Sequence, residues 1–426
     1  MLKRIDKRHL TMGMYVHEFC GSWMEHPFWR TKFLLKCQKD LARIQATPIR
    51  ECWIDTSRGL DVVSGTFSVS SEEVDAQIDT EFSRLQDLPP IHVSFLSPSP
   101  PPALDRNPVD MSSELKEAAV ICMKSKEAVV SMFHEARMGR VVDTVAAQGL
   151  VEEISDSVMR NPAALISLAR LKTADDYTYM HSVAVCALMV ALAKQLKLGD
   201  EQIRLAGLAG LLHDLGKAMI PLEVLNKPGK LSDEEFAVVR RHPVDGFHML
   251  KACGNVPEPV LDACLHHHEK IDGSGYPDRL RGDDISVIAR MAAICDVYDA
   301  ITSDRPYKRG WDPADSLRRM AEWAPGHFDL RLFQAFVKSI GIYPVGSLVR
   351  LTSGRIGVVV EQTSKSLTMP IVKVFFSTQS EKRILPELVD LSAQDCAERI
   401  LAREDPEKWN FQDLNALWSG FGERIW

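Results

Sequence analysis

The nine cysteines of this 426-residue chain (20, 37, 52, 122, 186, 253, 264, 295 and 396) form no Cys-x-x-Cys pair. An odd, scattered set excludes zinc knuckles and a disulfide framework and fits reduced, mostly buried thiols. Long apolar runs are missing as well. The longest, Val183 to Ala193, is far short of the ~20 residues needed to span a bilayer, so no membrane insertion is expected. The N-terminus, MLKRIDKRHL, is charged but has no apolar core behind it, so it does not read as a secretory signal and residence in the cytoplasm is expected. There is no excess of positive charge either: 51 Lys plus Arg against 58 Asp plus Glu leave a net charge of -7. That balance argues against binding a nucleic acid polymer on a basic surface, and any phosphate ligand must find its positive charge locally.

What is present is an ordinary globular composition, 45% hydrophobic and 26% charged, on a length that predicts two or three domains at ~150 residues each. SPSPPPALDRNP at 97–108 has five prolines in twelve positions, which forbids a helix and predicts an extended linker over 97–110. Upstream, residues 1–96 form an N-terminal module of unknown function. Between Gly13 and Asp61 its apolar runs are short (33–35 and 49–54) and broken by polar and turn residues, as in a small mixed or β-rich fold. Trp23, Phe28 and Trp29 suit either a recognition surface or the core of this module, and the core is the expectation.

From Met111 the apolar spacing becomes helical, with helices expected at about 111–138, 141–172, 176–196, 201–213, 233–252, 257–268, 284–302 and 312–340. Residues 111–341 therefore read as an all-α domain with a long leading helix. After Gly341, GSLVRLTSGRIGVVVE alternates around a Ser-Gly turn and PIVKVFF supplies another strand, so 342–426 reads as a small β-rich module. The fold class is mainly α: a central helical domain with small modules at both ends.

Of thirteen histidines, seven (181, 213, 242, 248, 266, 267 and 268) lie within the 88 residues from His181 to His268. A single helical histidine is usually structural, which is the reading for His248 and His266. His213-Asp214 differs, because it ends the apolar run LAGLAGLL. A carboxylate buried there is costly without a cation to compensate it, and imidazoles with carboxylates suit divalent iron, manganese or zinc. Asp214, with two oxygens, is suited to bridging two ions. Adjacent side chains such as His267 and His268 diverge by about 100° on a helix, so both reach one metal only near a helix end, which the following IDGSGYP supplies.

The segments HDLGK (213–217), RHPVDG (241–246), HHEKIDGSGYP (267–277) and CDVYDAITSDRPYK (295–308) resemble, in order and spacing, the HD-GYP family, a branch of the HD-domain metallophosphohydrolases. The resemblance covers roughly residues 140 to 340. The N-terminal segment, with GMYV and PFWRTKFLL, is similar to an uncharacterised domain often fused ahead of HD-GYP domains. The resemblance implies an HD-type helical domain that hydrolyses cyclic di-GMP, a bacterial second messenger, to pGpG and on further cleavage to GMP. It implies two divalent ions, iron or manganese: one on His181, His213, Asp214 and Asp296, the other on Asp214, His242, His267 and His268. Lys217 would lie against the scissile phosphate, making Asp214 and Lys217 the catalytic pair, while Tyr276, Arg305 and Lys308 would bind substrate. Three-metal members carry a glutamate one turn before the first histidine, where this chain has Tyr177, so a dinuclear site is the reading here. Glu269 and Asp299 are read as partners that orient ligands, and Asp272 as a turn former.

A phosphodiester resists hydrolysis because its charge repels nucleophiles and its alkoxide leaves poorly. Two metals ~3.5–4 Å apart address both, by acidifying a bridging water to hydroxide and by withdrawing charge from the phosphate. Between His213 and Arg309 there are 13 Lys plus Arg and 16 Asp plus Glu, a net -3 that two divalent ions turn to +1. Substrate attraction then depends on metal loading. Two other readings stay open on sequence: a cyclic di-GMP sensor that engages partners such as diguanylate cyclases without turnover, and a di-iron oxygenase on the same scaffold. A cyclic dinucleotide containing adenine is a further substrate to weigh. The helix at 111–138 suits either homodimer pairing or packing on its own domain.

Overall fold

The computed structural model describes residues 1–20, 32–47, 49–63, 67–85, 107–172, 177–227, 229, 231–304, 310–363 and 366–421. Trp23, Phe28, Trp29 and the prolines at 98–102 lie outside them. The chain divides into two compact units, residues 1–85 with 318–325, and residues 86–317 with 326–426. The nine cysteines are all free thiols.

In the first unit, β1 (Leu2–Asp6), β2 (Tyr15–Phe19), β3 (Phe33–Leu34), α1 (Gln38–Gln45), β4 (Glu51–Asp55), β5 (Val69–Ser70) and α2 (Ser71–Arg84) follow one another. The strands form an antiparallel sheet in the order β3-β2-β4-β1-β5, with Ile5 opposite Cys52. Ile5, Val16, Phe19, Cys52 and Ile54 bury one face under Leu41 and Ile44 of α1. The start of α2 is capped reciprocally: Ser70 Oγ accepts the Glu73 N–H at 3.2 Å, and the Glu73 carboxylate accepts the Ser70 N–H at 2.8 Å.

The second unit is built on α3 (Met111–Arg137), α4 (Thr144–Arg160), α5 (Pro162–Arg170), α6 (Tyr177–Gln195), α7 (Asp200–Leu212), α8 (Leu222–Leu225), α9 (Asp233–Val239), α10 (His242–Ala252), α11 (Glu258–His266), α12 (Val287–Thr302), α13 (Pro313–His327, shared with the first unit) and α14 (Leu330–Ile340). Asp110 caps the start of α3, accepting the Ser113 N–H at 3.1 Å. Every residue of α6 from Met180 to Ala193 is buried. This helix is long and apolar enough to cross a membrane, yet 78% of its most apolar 18-residue window is enclosed by the protein: its apolar surface is satisfied by neighbouring helices. Glu114 of α3, itself buried, takes two hydrogen bonds from Arg160 at 2.8 Å each and one from Ser157 at 2.6 Å, tying α3 to α4.

Three helices read as continuous are broken. The stretch 141–172 divides at Pro162, which has no N–H to continue α4 and instead begins α5. The stretch 233–252 divides between Val239 and His242, with Pro243 in the first turn of α10. The stretch 312–340 divides at Asp329, whose carboxylate caps α14 by accepting the N–H of Arg331 at 2.9 Å.

Two glycines allow the backbone approaches on which the site depends. A Cβ at Gly210 of α7 would stand 2.8 Å from the carbonyl oxygen of Val185 in α6, and one at Gly216 would stand 1.9 Å from that of His242. Only glycine allows either contact. After α14, β6 (Leu348–Leu351), β7 (Arg355–Glu361), β8 (Ile371–Ser377), β9 (Lys382–Asp390) and β10 (Ile400–Arg403) form an antiparallel sheet in the order β10-β6-β7-β8-β9. Val349, Leu351, Val359, Val372 and Val374 are its core. The short helices α15 (Pro406–Trp409) and α16 (Leu414–Ser419) follow it.

Candidate metal centre

Five places in the second unit supply the site. His181 lies in the first turns of α6, and His213-Asp214 stands where α7 gives way to a 3₁₀ turn over Leu215–Met219. His242 opens α10, His267-His268 follows the end of α11, and Asp296 and Asp299 share one face of α12. His181, His213, Asp214, His242, His267 and Asp296 are buried, while His268 is partly exposed.

Asp214 is the centre of this arrangement. Its Oδ2 lies 3.4 Å from both His181 Nε2 and His213 Nε2, and its Oδ1 lies 3.2 Å from His242 Nε2 and 3.8 Å from His267 Nε2. Asp296 Oδ1 is 3.0 Å from His181 Nε2, and its Oδ2 is 3.9 Å from His268 Nδ1. Three overlapping donor sets result, His181/His213/Asp296, His213/Asp214/His267 and His242/His267/His268, each with its ligand atoms within 4.8 Å of one another. His213 Nε2 and Asp214 Oδ1 are buried with no hydrogen-bond partner among the described residues. Such atoms are costly unless a cation takes their lone pairs, so the donor set fits divalent metal.

The outer nitrogens hold the rings in place. His213 Nδ1 is 2.7 Å from the Gly210 carbonyl, His242 Nδ1 2.7 Å from that of Val239, and His267 Nδ1 2.9 Å from that of Cys264. His181 Nδ1 meets Asp299 Oδ2 at 2.6 Å. Each Nδ1 faces an acceptor, which directs Nε2 inward as a ligand lone pair. Asp299 also pairs with Lys172, whose side chain is fully enclosed.

Burial disfavours the charge of His181, but Asp214, Asp296 and Asp299 outweigh it and hold the ring up to about 10. Burial, reinforced by His213 and His242, pushes His267 down to about 3, and burial with His267 and His242 pushes His268 well below the usual range. Asp214 and Asp296 stay far below the ordinary carboxylate range despite their burial, the first through Lys217 and His213, the second through His181 and His268. His267 and His268 are thus neutral and the carboxylates charged, as metal ligation requires, whereas His181 must lose its proton to serve as a ligand.

Lys217 reaches in from the 3₁₀ turn and pairs with Asp214 Oδ2. Tyr276 stacks on His268 with ring centroids 4.8 Å apart. Tyr177 stacks on His181 at 5.8 Å, nearly parallel, and its outer surroundings include Lys172. Glu269 lies outside the cluster: it accepts the N–H groups of Asp278 and Arg279 at 2.7 and 2.9 Å and so holds the turn that carries Tyr276. Asp272 accepts the Ser274 N–H at 3.0 Å and its hydroxyl at 2.6 Å, forming a turn. His266 is held between Asp262 at 2.7 Å and Asp278 at 3.0 Å, and His248 is exposed. Arg305 and Lys308 lie outside the described residues. Sequence reasoning missed Lys172, which is 127 positions from its carboxylate partner, and Arg240, whose guanidinium lies 4.3 Å over the Tyr276 ring. No local pattern marks either residue.

The HD domain family matches residues 154–332, and the family described as a domain of unknown function, DUF3391, matches residues 2–147. The second match runs past the proline-rich segment and into α4. Cyclic di-GMP phosphodiesterase PA4108 of Pseudomonas aeruginosa is 53% identical over 424 residues, 99% of this chain and 97% of that protein. The cyclic di-GMP phosphodiesterase response regulator RpfG of Xanthomonas campestris is 42% identical over 149 residues, 34% of this chain and 39% of its own length. The 3'3'-cGAMP-specific phosphodiesterase 1 of Vibrio cholerae is 37% identical over 164 residues, 38% of each chain. Among solved structures, the HDGYP protein Bd1817 from Bdellovibrio bacteriovorus aligns over 79% of this chain and 99% of its own, at 18% identity and a TM-score of 0.44.

Proposed function

The chain belongs to the HD-GYP family of cyclic di-GMP phosphodiesterases, and from that premise we propose that its buried His/Asp cluster hydrolyses cyclic di-GMP to pGpG, with GMP as the product of a second cut. The carrying observation is the full-length match at 53% identity to a cyclic di-GMP phosphodiesterase, joined to a site in which Asp214 presents one oxygen to each half of a histidine cluster. We assign His181, His213, Asp214 and Asp296 to one ion, and Asp214, His242, His267 and His268 to the other. Tyr177, stacked on His181 where a third ion's glutamate would stand, supports two ions rather than three. Bound here, divalent iron or manganese supplies the acidification of water and the charge neutralisation that phosphodiester cleavage requires.

The protein's own part is positioning and electrostatics. Asp299, the Gly210 and Val239 carbonyls and the Cys264 carbonyl fix the imidazoles, so the site needs little reorganisation on loading. Lys217, which pairs with Asp214 Oδ2 beside the cluster, is assigned to the scissile phosphate, where its ammonium would add positive charge. Tyr276 forms part of the pocket wall, and Arg305 and Lys308 are assigned to the substrate's phosphate or guanine edge. Residence in the cytoplasm, where a nucleotide second messenger circulates, belongs to the same reading, with cyclic di-GMP as the principal partner.

The deciding assay supplies iron or manganese anaerobically to the full chain and follows cyclic di-GMP and 3'3'-cGAMP side by side by chromatography. Cleavage of cyclic di-GMP, lost in Asp214→Ala, is the expected result. Absence of any nucleotide product under every metal would refute the assignment. Nucleotide binding without turnover would favour a sensor.

A further inference from the structure

We infer that Arg240 is a substrate-binding residue that takes the second, non-scissile phosphate of the cyclic dinucleotide. This deepens the cyclic di-GMP reading and rests on it. Arg240 caps the C-terminus of α9, two residues before the ligand His242, and is exposed. Its guanidinium carbon lies 4.3 Å over the ring of Tyr276, whose ring in turn stacks on His268 at 4.8 Å. Two stacking distances therefore separate an exposed cation from a member of the metal cluster, with the partly buried tyrosine between them.

The cations nearby differ in their commitments. Lys217, paired with Asp214, is assigned to the scissile phosphate, and Arg241 faces Asp245 at 3.4 Å. Arg240 has no carboxylate partner among the described residues. A guanidinium held over an aromatic face gives up no N–H to an acid, so its planar fork stays open for bidentate phosphate recognition. The ring of Tyr276 keeps it at one place on the rim instead of leaving it a free surface arginine. A cyclic dinucleotide carries two phosphates on one macrocycle. With the first at the metal cluster, the second lies off it, toward the exposed Arg240 that only the Tyr276 ring separates from His268.

The test uses the metal-loaded full chain as wild type, Arg240→Ala and Arg240→Lys. Each is assayed on cyclic di-GMP and on bis(p-nitrophenyl) phosphate, which has one phosphate and no base. Arg240→Ala is expected to raise KM for cyclic di-GMP about 10- to 100-fold, the range for hydrogen bonds to a charged group. Its kcat should change by less than about threefold, its metal content should equal that of wild type, and KM for the small diester should rise far less. Arg240→Lys, which keeps the charge but not the planar fork, should recover only part of the loss. Equal losses on both substrates, or reduced metal content, would show that Arg240 acts only by packing on Tyr276 and His268 and would overturn the inference. A lysine variant as impaired as the alanine one would overturn it in favour of stacking on a base. Wild type that cleaves the small diester but not cyclic di-GMP would instead sink the function from which the inference proceeds.

Discussion

Replacing Asp299 by asparagine removes the charge from a carboxylate with two tasks: it meets His181 Nδ1 at 2.6 Å and neutralises Lys172, whose side chain is completely enclosed. Leaving a buried lysine without its counter-charge costs about 3–5 kcal/mol, and in a unit of this size each kcal/mol lowers Tm by only about 1.4 °C. Asp299→Asn should therefore lose roughly 4–7 °C by differential scanning calorimetry. The second task is separable. Adding Lys172→Met removes the stranded charge, and an apolar replacement of a buried pair is often neutral or better, so the double variant should regain most of that Tm. His181 would still lack its orienting carboxylate, a loss that typically lowers metal affinity about 10- to 100-fold. Manganese titration in chelator-buffered solution, with metal content by mass spectrometry, reads this directly. Should the double variant recover affinity together with stability, Asp299 would be a structural residue only and the reasoning would be wrong.

Asp312, pushed up to about 6 chiefly by burial, lies above the ~4 of an unfolded aspartate. Its raised value means that the stability it contributes is full below about pH 4 and is lost as pH rises through about 6, a change of up to about 3 kcal/mol. Asp312→Asn should flatten urea stability relative to wild type over that window; parallel curves would count against it. Because His181 is held at about 10 without metal, loading must expel its proton. Calorimetric titration near pH 7 in buffers of different ionisation enthalpy should register at least one proton released, with affinity rising about tenfold per pH unit per proton. Chelation should abolish cyclic di-GMP binding along with turnover, since the metal-free segment 213–309 carries a net -3; tight binding of the nucleotide by metal-free protein would contradict this.

Much of the site was legible because its information is local. His213-Asp214 at the end of an apolar helix, His267-His268 before a glycine turn, and Asp296 with Asp299 three apart are each specified by a few adjacent residues. Periodicity located the helical stretches, since burying one face sets a 3.6-residue repeat that needs no knowledge of the partner. Helix breaks were harder, because Pro162 and Pro243 end one helix and begin another without interrupting the apolar pattern.

By itself, then, the sequence determined a mainly helical chain with small sheets at both ends, a clustered His/Asp donor set and its family. Only the tertiary structure decided that Asp214 divides its two oxygens between the halves of the cluster, and that Tyr177 lies flat on His181. It alone brought Lys172 to Asp299 and Arg240 over Tyr276. The physical reason is range: donor identity and helix periodicity are properties of neighbouring residues, whereas the pairing of a buried lysine with a carboxylate 127 positions away depends on how the helices pack. That packing rests in turn on contacts as small as the missing Cβ atoms of Gly210 and Gly216.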